Sequence, residues 1–143
     1  MSETISAAAY RKAVGLSAAG ADKRPERNRA RARRTAAERM NKTEAAYAER
    51  LDLMKRAGEI LDWRFESITL KLADGTRYTP DFLVTLWDGE RTELHEVKGF
   101  WREDARVKFR VAAEMYPMFR FVEVRRRNRA WELIPVRATR GGR

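Results

Sequence analysis

Cysteine is absent from the 143-residue sequence, which excludes disulfide bonds and thiolate zinc sites. No apolar run is long enough to cross a bilayer. The N-terminal stretch lacks a compact apolar segment with a cleavage site, so a secretory signal is not expected. These absences point to a reducing cytoplasm. Histidine occurs once, at position 95, and no internal repeat is visible.

Positive charge is abundant. The chain holds 31 Lys and Arg against 21 Asp and Glu, a net charge of +10. Residues 1–40 contain ten basic and four acidic side chains, residues 41–100 nine and twelve, and residues 101–143 twelve and five. An acid-rich middle thus lies between two basic ends. A uniformly basic surface would suggest only adhesion to a polyanion; acids gathered in the middle suggest a job for them. With 43% hydrophobic residues the length suits one domain with a real core.

The segment "KRPERNRARARR" (23–34) reads as part of a flexible basic arm over 1–40, with scope for helix, that orders on a partner. Its alternative is a solubilising tail. Lys23, Arg24, Arg27, Arg29, Arg31, Arg33 and Arg34 are its candidate phosphate contacts. The folded domain is expected over 41–136, followed by a basic tail at 137–143. Asn41 and Glu44 have capping-box spacing, Tyr47, Leu51 and Met54 recur at helical spacing, and Gly58 is a stop signal. Alternating stretches at 61–67, 68–72, 77–87 and 91–98 follow, with Asp74-Gly75 and Asp88-Gly89 as hairpin turns between the last three. Residues 102–116 read as a helix with Val107, Val111 and Met115 on one face, ended by Pro117. Residues 119–125 and 130–136 read as further strands. The expected class is α+β, a mixed sheet flanked by helices.

The stretch "RYTPDFLVTLWDGERTELHEVKGFW" (77–101) carries the chemistry. If Asp88-Gly89 is a two-residue turn, Trp87 pairs with Glu90, and Asp81 falls opposite Glu96. Opposed residues share a face with Cβ atoms about 4.5–5.5 Å apart, and Lys98, two residues on, points the same way. An odd loop would put the acids on opposite faces. Directly opposed like charges repel, and a divalent cation neutralises them; oxygen ligands suit Mg²⁺. An ammonium beside such a site can orient or help deprotonate a bound water, or offset charge on a phosphate. On a basic protein this set fits phosphodiester hydrolysis. The alternative is a surface salt bridge between Lys98 and Asp81 or Glu96.

Pro80-Asp81 followed by Glu96-Val97-Lys98 resembles the PD-(D/E)XK nuclease signature. "NKTEAAYAERL", "YTPDFLV" and "HEVKGFWREDARVKFRVAAEMYP" are similar to the bacteriophage endonucleases I that resolve Holliday junctions. The resemblance covers roughly residues 41–125. It implies a restriction-endonuclease-like core: helix, three-stranded meander, helix, then one or two strands. It also implies metal ligation by Asp81, Glu96 and the Val97 carbonyl, and a catalytic role for Lys98. By the same resemblance Glu44 looks like the helix carboxylate that such resolvases add for a second metal or its water, a role in competition with its capping box. Mg²⁺ is the implied cofactor, with Mn²⁺ as substitute. The implied partners are DNA, branched four-way junctions above all, and a second copy of the chain. A phage-infected or prophage-carrying bacterium is the implied setting. The rivals are a nicking or restriction-type nuclease on linear duplex and a non-catalytic basic DNA-binding protein.

Other residues carry less. Glu66 is a fallback third acid. His95 points away from the acids by alternation and reads as packed. Phe100 and Trp101 suit base stacking or capping of the core, and Lys108 an exposed pair. Arg125, Arg126, Arg127 and Arg129 form a dense cluster suited to phosphate.

Overall fold

The computed structural model describes residues 25–99 and 101–136. Helix α1 runs Glu26–Arg39 and helix α2 Lys42–Arg56, with strand β1 at Ile60–Phe65. Strands β2 (Leu70–Ala73) and β3 (Thr76–Tyr78) form a hairpin, followed by β4 (Phe82–Leu86) and β5 (Thr92–Val97). Helix α3 (Glu103–Met115) leads to β6 (Arg120–Arg127) and β7 (Ala130–Val136). Five strands make one mixed sheet in the order β1-β4-β5-β6-β7, parallel only between β5 and β6. The class is α+β, with helices packed against a mixed sheet. Among the described residues, no helix is long and apolar enough to cross a membrane.

Helix α2 starts where both halves of the capping box close: the Asn41 side chain accepts from the Glu44 amide, and a Glu44 carboxylate oxygen accepts from the Asn41 amide, each at 2.9 Å. Gly58, at φ +77°, ends that turn in the left-handed region. The buried face of α2, with Tyr47, Ala48 and Leu51, packs on Phe82, Val84, Val97, Val122 and Val124. On the other side of the sheet, Phe109, Ala112 and Ala113 of α3 pack on Leu83, Leu94 and Phe121. Period-two alternation along β4, β5 and β6 sends successive side chains to these two cores.

Two expectations change. The strand expected over 77–87 is two strands, broken at Thr79-Pro80, because proline has no N–H for a ladder. In place of three consecutive strands from 68 to 98, β2 and β3 pair only with each other, and β1 lies beside β4. Helix α3 forms as expected with Val107, Val111 and Met115 on one face; that face is exposed, and Phe109, Ala112 and Ala113 face the sheet. Two alanines let the helix sit close, with Phe109 filling the gap between Tyr78, Trp101 and Phe121. Part of the basic arm is helical, as α1. Its Ala36 and Met40 pack against the core under α2, and Arg39 sits 5.9 Å from the Phe65 ring centroid and 3.9 Å from Glu66.

Candidate active site

Strands β4 and β5 pair Phe82 with His95 and Val84 with Glu93, the register that sets Asp81 opposite Glu96. The turn differs from expectation. Gly89 donates to the Leu86 carbonyl and the Leu86 amide to the Arg91 carbonyl, each at 2.9 Å, so Trp87–Glu90 form a four-residue loop. Gly89 takes φ +69°, and Asp88 Oδ1 accepts from the Glu90 and Arg91 amides at 3.0 Å. Four residues, like two, make an even loop. The facing of the acids therefore survives the change of turn.

Asp81 and Glu96 are 7% and 5% exposed, so this is no solvated surface pair. One oxygen of each is tied down. Asp81 Oδ2 accepts from the Val97 amide at 2.9 Å. Glu96 Oε2 accepts from the Tyr78 hydroxyl at 2.6 Å and from the Asp81 amide at 3.3 Å. The oxygens outside these bonds are Asp81 Oδ1 and Glu96 Oε1, the latter 3.1 Å from Lys98 Nζ. Burial, then the Glu96 charge, pushes the Asp81 carboxyl up to about 7 against the opposite pull of the Val97 amide and Lys98. Burial alone would lower the Lys98 pKa, but Glu96 and Asp81 outweigh it and hold the lysine above its ordinary value. Lys98 is therefore an ammonium in this state, suited to offsetting charge rather than to taking a proton.

The backbone contributes as well. The Lys98 amide donates across to the Val124 carbonyl, so by strand alternation the Val97 amide and carbonyl face β4. The register places Pro80 opposite Val97, and proline has no N–H to give that carbonyl. The carbonyl is thus available beside the two carboxylates. Two carboxylates and a carbonyl fit Mg²⁺, which binds through few protein oxygens and keeps water or phosphate oxygens for the rest. Among the described residues, no three of His, Cys, Asp and Glu come together as a ready-made metal cluster.

Glu44 is held by its capping box, and its charge still acts on Asp81 and Lys98. It is close enough for that charge to be felt, but among the described residues no hydrogen bond or ion pair joins it to the acid pair. Glu66 sits in a turn at φ +43°, its amide donating to the Asp81 carbonyl at 2.8 Å while its side chain turns to Arg39. His95 is buried on the α2 face between the Tyr47 hydroxyl (2.6 Å) and Glu93 (2.7 Å), packed as expected. Lys108 is exposed on α3.

The arginine cluster divides. Arg125 points to the same face as Glu96 and binds Glu123, whereas Arg126 lies over Trp131, 5.1 Å from its ring centroid. Arg127 ends β6 and Arg129, at φ +65°, belongs to the following turn. On α1, Arg27, Arg31 and Arg34 are exposed, and Asn28, Arg31, Thr35 and Arg39 line one shallow depression. Lys23, Arg24, Phe100 and the tail at 137–143 lie outside the described residues, as do the side chains of Arg29 and Arg33.

Two buried participants escape sequence reasoning. Tyr78 reaches Glu96 from the separate hairpin, a placement no alternation rule signals. Burial, then the Glu96 charge, pushes its hydroxyl up, so it stays a donor. Glu123 pairs with Glu96 across the parallel ladder and is buried at 7%. Its signal was a carboxylate between Phe121 and Arg125 on an otherwise buried strand face. The chain matches no protein-family model, no curated protein and no solved structure.

Proposed function

We propose that this protein is a metal-dependent endonuclease that hydrolyses phosphodiester bonds in DNA, with a PD-(D/E)XK, restriction-endonuclease-like core. One observation carries the reading: Asp81 and Glu96, buried and opposed across β4 and β5, with Lys98 bridging to Glu96 at 3.1 Å. Folding would not favour two buried, opposed acids unless another demand maintained them. Asp81 Oδ1, Glu96 Oε1 and the Val97 carbonyl would hold Mg²⁺, or Mn²⁺ in its place. When bound, the ion supplies Lewis acidity and a more acidic water. Tyr78 and the Val97 amide fix the other carboxylate oxygens, so that the ligand atoms are aimed before binding. Lys98 offsets charge developing on the scissile phosphate. Glu44 adds negative potential at the sheet end, where it can orient a water.

The exposed arginines of α1 and Arg125 supply phosphate contacts. Four-way junctions are the substrate class proposed, cut by a homodimer because resolution needs two opposed cuts; a phage-infected bacterial cytoplasm is the proposed setting. The test compares labelled junction with its matching linear duplexes, with and without Mg²⁺. Junction cutting that needs the metal supports the proposal. Equal cutting of linear duplex moves the enzyme to a nicking or restriction-type role. Binding without any cutting in Mg²⁺ or Mn²⁺ leaves a basic DNA-binding protein.

A further inference from the structure

Next to the acid pair, on the same face of the sheet, lies a third buried carboxylate with a different set of partners. Glu123 is the ladder partner of Glu96, yet among the described residues no hydrogen bond or ion pair joins it directly to Asp81, Glu96 or Lys98. Its Oε1 accepts from two donors at once, the indole N–H of Trp101 and the Nε of Arg125. Trp101 in turn lies on Phe109, ring centroids 5.2 Å apart, and holds Lys98 Nζ 6.0 Å from its own ring centroid. Glu123 therefore links the loop after β5 to the arginine of β6.

Binding through Nε has a consequence for what Arg125 can offer. A guanidinium has five N–H donors in a rigid fork. With Nε–H turned to a buried carboxylate, the two end-on N–H groups at the tip of the guanidinium point away from it, and the side chain is 35% exposed. A fork fixed at its base and open at its tip matches a phosphate geometrically. A carboxylate that only neutralised the arginine would have no need of a tryptophan anchor.

We propose that Glu123 is a positioning residue that, braced by Trp101, presents Arg125 as a phosphate clamp one strand away from Glu96. On the nuclease reading, with which this inference is linked, the clamp holds a phosphate of the strand being cut, neighbouring the scissile one. The clamp itself needs no metal, so its test can be separated from cutting.

The test measures affinity for a short labelled DNA duplex in EDTA at low salt, for the full chain. R125A should weaken binding about tenfold, the scale of a hydrogen bond to a charged group. E123Q should also weaken binding, although it raises the net positive charge by one. E132Q is the control: Glu132 faces Arg125 across β7 and is exposed, so losing that acid should leave binding unchanged or tighten it. The double variant R125A/E123Q should bind like R125A alone, because the glutamate acts through the arginine. Tighter binding by E123Q, matching E132Q, would overturn the proposal, since Glu123 would then act by charge alone. Unchanged binding by R125A would overturn it too. Should E123Q fail to fold, R125K decides: it keeps the charge and loses the fork, so it should bind like R125A, and wild-type affinity refutes the clamp. Loss of binding in these variants with no cutting by the wild type would keep the clamp and remove the nuclease reading. Cutting with no change in binding would do the reverse.

Discussion

Replacing Asp81 with Asn should make the metal-free protein more stable while removing its activity. In the absence of a cation, Asp81 faces Glu96 in a buried site, and its carboxyl is pushed up to about 7 from 3.8. The folded state therefore binds a proton that the unfolded state has released, and wild-type stability falls as pH rises from about 4 to about 7. Roughly three pKa units at 1.36 kcal/mol each set a ceiling of about 4 kcal/mol on that loss. The Asn carboxamide keeps an oxygen for the Val97 amide and can turn its NH₂ towards Glu96, so a gain of about 2 kcal/mol above pH 7 is expected. At roughly 3–5 °C per kcal/mol for a domain of this size, D81N should melt about 6–10 °C higher than wild type at pH 8 in EDTA. The gap should close towards pH 5, where Asp81 is protonated. Melting curves of both proteins at pH 5, 6, 7 and 8 decide the matter. If D81N melts lower than wild type at pH 8, or if the gap ignores pH, the repulsion between the two acids is not what the register implies.

E96Q and K98A should abolish Mg²⁺-dependent cutting and leave DNA binding in place, measured on one junction by gel shift and cleavage. E44Q separates the two roles of that glutamate, because glutamine also closes a capping box. It should melt within about 0.5 kcal/mol of wild type yet cut at least tenfold more slowly, and a full cutting rate would leave Glu44 as a cap alone. Changing Arg27, Arg31 and Arg34 together to Gln should flatten the slope of log affinity against log salt by about 2.7 units, at about 0.9 per phosphate contact; an unchanged slope would make α1 a bystander. Mn²⁺ should replace Mg²⁺, whereas Ca²⁺ should support binding with little turnover because of its looser coordination geometry. Cutting that survives thorough chelation would count against the metal site.

How far the sequence could be read depended on the kind of rule each feature obeys. The opposition of Asp81 and Glu96 follows from loop parity, which is robust: the turn came out four residues long instead of two, and the acids still share a face. The α2 cap was legible because Asn41 and Glu44 interact over three positions. Helix α3 was harder. Its valine and methionine stripe is as regular as its buried face, but only the buried face contains the small residues that allow close approach to the sheet. Strand pairing over long separation was not legible either. Nothing local indicates that β1 should reach past the β2–β3 hairpin to β4, or that Tyr78 should return to Glu96. Glu123 was not legible because what sets it apart is its burial, which the run of arginines after it does not signal.

The ends of the sheet order suggest how two copies could and could not meet. Strands β1 and β7 are its edges, and an open edge invites a second chain to extend the ladder. Here both edges are blunted. Pro135 sits within β7 and has no hydrogen to offer an incoming strand. The register of β1 slips between Ile60 and Asp62, which bends that edge out of line. Growth by strand addition is therefore disfavoured on both sides, which protects a highly charged fold from stacking edge to edge. A symmetric pair of these molecules would have to be built from side chains, and its two-fold axis would lie away from the ends of the sheet.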